Sequence, residues 1–212
     1  MYKRQLWDLD AISHHARALT AAAFSSFART HATEGNLNNH LGVPLTLARM
    51  PRDTQVSVVE MGMNHFGEIE ALSRLARPHA ALITAIDWVH SENLGGTLSG
   101  VAQAKAEICA GLSGPLFAPH FFREVLQVHV PRADVHWLGE PYSGLLALPG
   151  EENRWIAALA LAGVPEAHWA AALLAIALVL PEPGRGSALN LTIENKAIRL
   201  FDDAYNAAPA SM

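Results

Sequence analysis

Glu60-Met61-Gly62-Met63-Asn64-His65-Phe66-Gly67-Glu68-Ile69 is the most informative stretch of the chain. The run Val56-Ser57-Val58-Val59 feeds straight into it. A buried strand therefore ends by delivering a carboxylate, Glu60, into a loop of Gly, Asn and His. In open α/β sheets ligands sit at the carboxyl ends of the strands. An acid placed there needs a partner or a task, because an unpaired buried charge is costly.

Gln55 to Met61 is the first clear strand, continuous and apolar as in a parallel sheet. Glu68 to Ala76 follows as a helix stopped by Pro78, and Ala80 to Ile86 as a second buried strand. A Gly-containing loop over 87–100 leads to a helix from Val101 to Leu112. This alternation predicts an α/β fold with a mostly parallel sheet and flanking helices. Upstream, Ala11 to Arg29 is Ala-rich and predicts a helix. Gly35-Asn36-Leu37-Asn38-Asn39 is a loop, and Pro44 to Arg49 a short helix. Downstream, Leu116-Phe117 and Val135 to Leu138 are brief strands, with Phe121 to Val128 helical between them. Residues 153–163 and 165–179 form two apolar helices joined at Gly163. Ala188 to Ile193 and Ala197 to Phe201 flank Glu194-Asn195-Lys196 as a C-terminal β-hairpin.

Half of the 212 residues are apolar, enough for one sizeable core. The net charge is −5 and no basic stripe points to nucleic acid. Cys109 stands alone, so no internal disulfide forms. The longest apolar run, Trp169 to Leu180, is too short for a bilayer span, and no secretion signal begins the chain. A cytoplasmic protein with small-molecule ligands is expected.

Three side chains could carry chemistry together. Glu60 ends one strand, His90 follows the next by four residues, and Lys105 lies on the helix after that. At about 100° per residue, Val101, Ala104, Ile108 and Leu112 form one apolar stripe, and Lys105 falls inside it. Glu and His are ordinary metal ligands, and Mg²⁺ in phosphate chemistry takes only one or two protein carboxylates. A neutral lysine can also react with carbon dioxide to give a carbamate able to approach a metal, and burial lowers its pKa in the needed direction. Each residue also has a plainer reading. Glu60 can be a paired structural acid, His90 is one of eleven histidines, and Lys105 can snorkel to an edge. The Asn-rich loop suits a turn equally well. Residue chemistry alone leaves both readings open.

The motifs together resemble the D-alanyl-D-alanine-adding type of Mur ligase. They are Gly35-Asn36-Leu37-Asn38-Asn39 through Leu47, the Glu60 motif, Pro78 to Thr84 and His90. Gly100 to Ile108, Pro183-Gly184-Arg185-Gly186 and Asp202-Asp203-Ala204-Tyr205-Asn206-Ala207 follow in the same order. The resemblance implies that ATP phosphorylates the terminal carboxylate of a UDP-N-acetylmuramoyl-tripeptide and that the amine of D-alanyl-D-alanine attacks the acyl phosphate. It implies magnesium-site roles for Glu60 and His90, and a carbamylated Lys105 holding a second magnesium. Asn38 and Asn39 would face the UDP-sugar. Asn153, Arg185, Asp203, Tyr205 and Asn206 would contact the nucleotide.

The chain also departs from the family. A phosphate-binding loop ending Gly-Lys-Thr or Gly-Lys-Ser is expected shortly before the helix that leads to Gly35, and no such sequence occurs. Ala85, Glu151, Glu152, Ile156 and Ala208 replace residues usual in relatives. Residues 1–12 are unassigned. Residues 13–201 are expected to be a partial ATP-binding central domain, and 202–212 the start of a linker to a missing C-terminal domain. Such a fragment is expected to be inactive alone, though monomeric in its full-length form. The alternatives are a degenerate, non-catalytic module binding a UDP-sugar peptide, and another Mur- or folylpolyglutamate-type ligase.

Overall fold

The computed structural model describes residues 9–88, 91–131, 133–148, 150–182, 187–193 and 196–202, the side chains of 9–12, 187–189, 193 and 201–202 excepted. Helix α1 (Leu9–Ser25) opens the described chain. Strand β1 (Thr30–Ala32), α2 (Gly42–Ala48) and β2 (Val56–Val58) follow, then α3 (Glu68–Ala76), β3 (Ala81–Leu82) and α4 (Leu98–Ala106). The remainder is β4 (Leu116–Pro119), α5 (Arg123–Leu126), β5 (Val135–Leu138), α6 (Glu151–Ala162), α7 (Trp169–Ala177), β6 (Ser187–Ile193) and β7 (Lys196–Asp202).

All pairings outside the C-terminal hairpin are parallel. β1 pairs with β2, and β3, β4 and β5 pair in that order. Among the described residues these remain two separate sheets. The expected mostly parallel sheet is thus present in two pieces. β6 and β7 form the expected antiparallel hairpin, Ser187 opposite Asp202 and Ile193 opposite Lys196.

Two apolar clusters hold the elements. In the first, Ala16, Leu19 and Ala23 of α1 pack against Ile156, Ala157 and Ala160 of α6 and Ala172 and Ile176 of α7. Alanine on the facing helices lets their axes approach closely, and Leu and Ile fill the remaining space. In the second, Ala81, Ile83 and Ile86 meet Leu116 and Ala118 of β4, Val101 and Ala104 of α4, and Leu126 beyond them. No single helix among the described residues is long and apolar enough to cross a membrane; α6 and the segment Glu166–Ala177 pass only as a pair bent by 120°. The first cluster takes up Ile156, Ala157 and Ala160 of α6 but only Ala172 and Ile176 of α7, where Trp169 and Leu174 are exposed.

Several expected elements end early. The strand expected over Gln55 to Met61 is Val56–Val58, and that over Ala80 to Ile86 is Ala81–Leu82. The helix expected to reach Leu112 turns into a 3-10 segment, Glu107–Ala110. The cause is tertiary. The Glu107 carboxylate accepts the amides of Gly67 and Glu70 at the start of α3, at 2.7 and 3.3 Å. Ser73 of α3 donates to the Ile108 carbonyl and accepts the Gly111 amide. These bonds use orphan groups at both helix ends and bind the loop after Glu60 to the end of α4.

Candidate functional site

Glu60 and Thr33 lie side by side where β1 and β2 end. The Thr33 amide donates to the Val58 carbonyl at 3.0 Å, extending the parallel ladder by one residue. The buried Thr33 hydroxyl accepts the Glu60 amide at 3.0 Å. The Asn-rich loop closes over this edge. The Gly62 amide donates to the Asn38 carbonyl at 2.8 Å, and Asn38 Nδ2 donates to Glu60 Oε1 at 3.0 Å. The first two sequence motifs therefore meet through a direct side-chain bond. Asn39 faces the other way along the chain: its Oδ1 accepts the amides of Leu41 and Gly42 at 3.0 Å each and starts α2. Asn39 is thus tied down as a cap in this structure.

Helix α1 supplies the other wall. Ser13 Oγ donates to Glu60 Oε1 at 3.1 Å, and His14 Nδ1 is 3.3 Å from the same oxygen. Arg17 NH1 lies 3.7 Å from Glu60 Oε2, while its NH2 donates to Glu182 Oε1 at 2.7 Å. NH1 also donates to the Gly35 carbonyl. Ser13, His14 and Arg17 fall on one face of the helix, three and four residues apart. Sequence reading missed all three. His14, His15, Arg17 and Thr20 are buried; the sequence showed them only as polar residues recurring in an Ala-rich helix, without naming their partners.

The remaining expected residues are dispersed or lie outside the described chain. Lys105 is half-buried on α4 beside buried Ala104 and Ala106, two residues before the Glu107 that caps α3. Its helix end is therefore docked on the loop that follows Glu60. Asn153 is 2% exposed, and its Oδ1 shares a 2.9 Å hydrogen bond with His15 Nδ1, bracing α6 against α1. His90, Arg185, Asp203, Tyr205 and Asn206 lie outside the described residues.

Local charges follow the contacts. The Glu68 carboxyl is held below its usual range, chiefly by the Asn64 amide, which donates to it at 2.6 Å. Burial pushes the Glu152 carboxyl up, and it pushes the Cys109 thiol up. The two Glu60 carboxylate oxygens have unlike surroundings. Oε1 is within reach of a hydroxyl, an amide and an imidazole, whereas the buried Oε2 accepts no hydrogen bond among the described residues and lies 3.7 Å from the Arg17 guanidinium. No group of three or more His, Cys, Asp and Glu side chains among the described residues could hold a metal.

Known proteins share the fold of this chain. Residues 15–119 match the Mur ligase middle domain family. The UDP-N-acetylmuramoyl-tripeptide–D-alanyl-D-alanine ligase of Bacillus subtilis is 35% identical over 208 residues, spanning 87% of this chain and 45% of the relative. That of Escherichia coli is 33% identical over 230 residues, spanning 92% and 50%. The crystal structure of MurF from Acinetobacter baumannii superposes with a TM-score of 0.80 at 26% identity, over 94% of this chain and 50% of that one. The chain spans about half the length of the curated relatives it matches. Through the domain matched over residues 15–119, the chain belongs to the Mur ligase family.

Proposed function

We propose that this chain forms the nucleotide-handling middle part of an ATP-dependent ligase that joins D-alanyl-D-alanine to a UDP-N-acetylmuramoyl-tripeptide in peptidoglycan synthesis. The observation that carries the reading is the Asn38–Glu60 hydrogen bond, which brings two separate family motifs to one carboxyl edge of a parallel sheet. Such an edge is where α/β folds hold ligands. The names of the Bacillus subtilis and Escherichia coli relatives support the substrate pair.

In the proposed reaction the terminal carboxylate of the tripeptide attacks the γ-phosphorus of ATP. An acyl phosphate forms and ADP leaves. The amine of D-alanyl-D-alanine then attacks the carbonyl carbon, the C–O bond to phosphate breaks, and the ammonium loses its proton. The products are an amide, ADP and phosphate. In this reading the Asn38 loop borders the UDP-sugar, Lys105 and His90 lie on the phosphate side, and Arg185, Asp203, Tyr205 and Asn206 border the nucleotide. Magnesium would accompany ATP. A cytoplasmic location and a monomeric full-length enzyme belong to the same proposal.

A second reading, a non-catalytic module that holds the UDP-sugar peptide, is favoured by one observation. The 212 residues contain no Gly-Lys-Thr or Gly-Lys-Ser, so the usual cradle for the β- and γ-phosphates is not among them. Calorimetric titration with ATP and with UDP-N-acetylmuramoyl-tripeptide separates the two. The ligase reading expects ATP binding weakened by Lys105→Ala, with no ADP release by this chain alone. Binding of the UDP-peptide without ATP binding would replace it with the second reading.

A further inference from the structure

The Glu60 carboxylate already has a cation. Arg17 and Glu60 are ion-paired at 3.7 Å with side chains 7% and 5% exposed. The guanidinium does not rest on that contact alone. It donates to the Gly35 carbonyl and to Glu182, so one side chain of α1 ties the Asn-rich loop, the end of β2 and the segment after α7. We propose that Arg17 is a resident counter-ion that closes Glu60 to divalent cations, leaving the carboxylate as a brace between α1, the Asn38 loop and β2.

Three physical points carry this. First, Mg²⁺ needs ligand oxygens at about 2.0–2.1 Å in near-octahedral array. Oε1 is already within reach of Ser13, Asn38 and His14; Oε2 is buried, accepts no hydrogen bond among the described residues and has the Arg17 guanidinium 3.7 Å away as its charged neighbour. Second, a guanidinium is a permanent cation in proteins. A divalent ion on Glu60 would therefore stand a few ångströms from a fixed positive charge. Third, moving Arg17 away would break its bonds to Gly35 and Glu182 together. Glu182 adds a second carboxylate to the group, but its side chain is 42% exposed, so water screens its charge.

The inference rests on these distances and not on the proposed reaction. Its test involves no ligase chemistry, so its failure leaves the proposed function standing, and the reverse also holds.

The probe is Mn²⁺, titrated into the whole chain and followed by electron paramagnetic resonance of the free ion. The parent and Glu60→Gln are expected to bind Mn²⁺ equally weakly. Arg17→Gln keeps an amide donor and removes the charge. It is expected to bind Mn²⁺ at least about tenfold more tightly than the parent, given what one unit charge is worth at that distance. Glu60→Gln in the Arg17→Gln background should abolish the gain. Tight one-site binding by the parent that Glu60→Gln removes would overturn the proposal. So would a folded Arg17→Gln, checked by circular dichroism, that gains nothing. Where Arg17→Gln fails to fold, the comparison of the parent with Glu60→Gln still decides.

Discussion

The Arg17 guanidinium lies 3.7 Å from the Glu60 carboxylate, and both side chains are buried. The two residues are 43 positions apart, and their contact fixes α1 against the end of β2. Removing one partner of a buried pair leaves the other charge without compensation. That typically costs about 3–5 kcal/mol, whereas replacing both partners together can be nearly neutral. Arg17→Met and Glu60→Gln should each lower stability strongly, and the double variant should lose less than the two losses added. Urea unfolding of the four proteins measures the coupling. Additive losses would show that the pair contributes nothing as a pair.

Glu152 gives a stability effect with a defined pH sign. Burial raises its pKa in the folded chain, with a further push from neighbouring Glu151. Among the described residues its Oε2 has no hydrogen-bond partner. A raised folded pKa means the folded state binds the proton more readily. The stabilising term is then full at acid pH and is lost as pH rises through the folded value. Glu152→Gln removes the ionised form. It should raise the melting temperature at pH 7, with the advantage shrinking below the carboxylate range. A variant equal to the parent at both pH values would contradict this.

Glu68 has the opposite sign. Its carboxylate accepts the Asn64 and His65 amides, and its folded pKa is depressed, chiefly by the Asn64 bond. Its stabilisation is present above the ordinary carboxylate range and fades as pH falls through the folded value. Glu68→Gln should be destabilising at pH 7 and close to neutral near pH 3. Melting temperatures at the two pH values check it. Because the Asn64-His65 turn leads away from Glu60, amide exchange in residues 61–67 should rise in the variant at pH 7.

Much of this was legible in the sequence, and the losses have identifiable causes. The boundaries of α3 were readable because its amphipathic pattern and the following Pro78 agree. Strand β1, Thr-His-Ala, was not expected, because three half-buried residues carry no apolar period. It is a strand only through its pairing with β2. The shortening of α4 came from Glu107 and Ile108 bonding to α3, forty and thirty-five positions away. At the site, Glu60 and Asn38 announced themselves through strand-end and loop chemistry. Arg17, Ser13 and His14 did not, because nothing in an Ala-rich helix says which distant carboxylate it will meet. Lys105 was placed in an apolar stripe and is half-buried, intermediate between the two readings the sequence left open.

The α1–α6–α7 cluster should behave as a close-packed core. Ile176 is fully buried against α1, while Leu178, two residues later, is largely exposed. Ile176→Ala should cost about 2–5 kcal/mol from lost transfer energy and the cavity left behind. Leu178→Ala should change stability by less than about 0.5 kcal/mol. Urea titration of both variants tests the burial pattern of α7. Equal losses would mean that α7 turns a different face to α1.

Gly42 tests whether the Asn-rich loop is held by sterics as well as by hydrogen bonds. A Cβ on Gly42 would lie 2.3 to 2.5 Å from the backbone of Leu37, closer than real Cβ atoms approach. Backbone cannot rotate out of the way as a side-chain tip can, so the loop must shift. That loop carries Asn38, whose amide reaches Glu60, and Asn39, which caps α2 through the Gly42 amide itself. Gly42→Ala should therefore destabilise the fold and raise amide exchange over residues 36–43, despite alanine's better helix propensity. Gly139, where an added Cβ meets nothing within 4 Å, is the control, and Gly139→Ala should leave both readouts unchanged. If Gly42→Ala matched that control, the close approach of α2 to Leu37 would not be a constraint, and the Asn38–Glu60 bond would have to be held by hydrogen bonding alone.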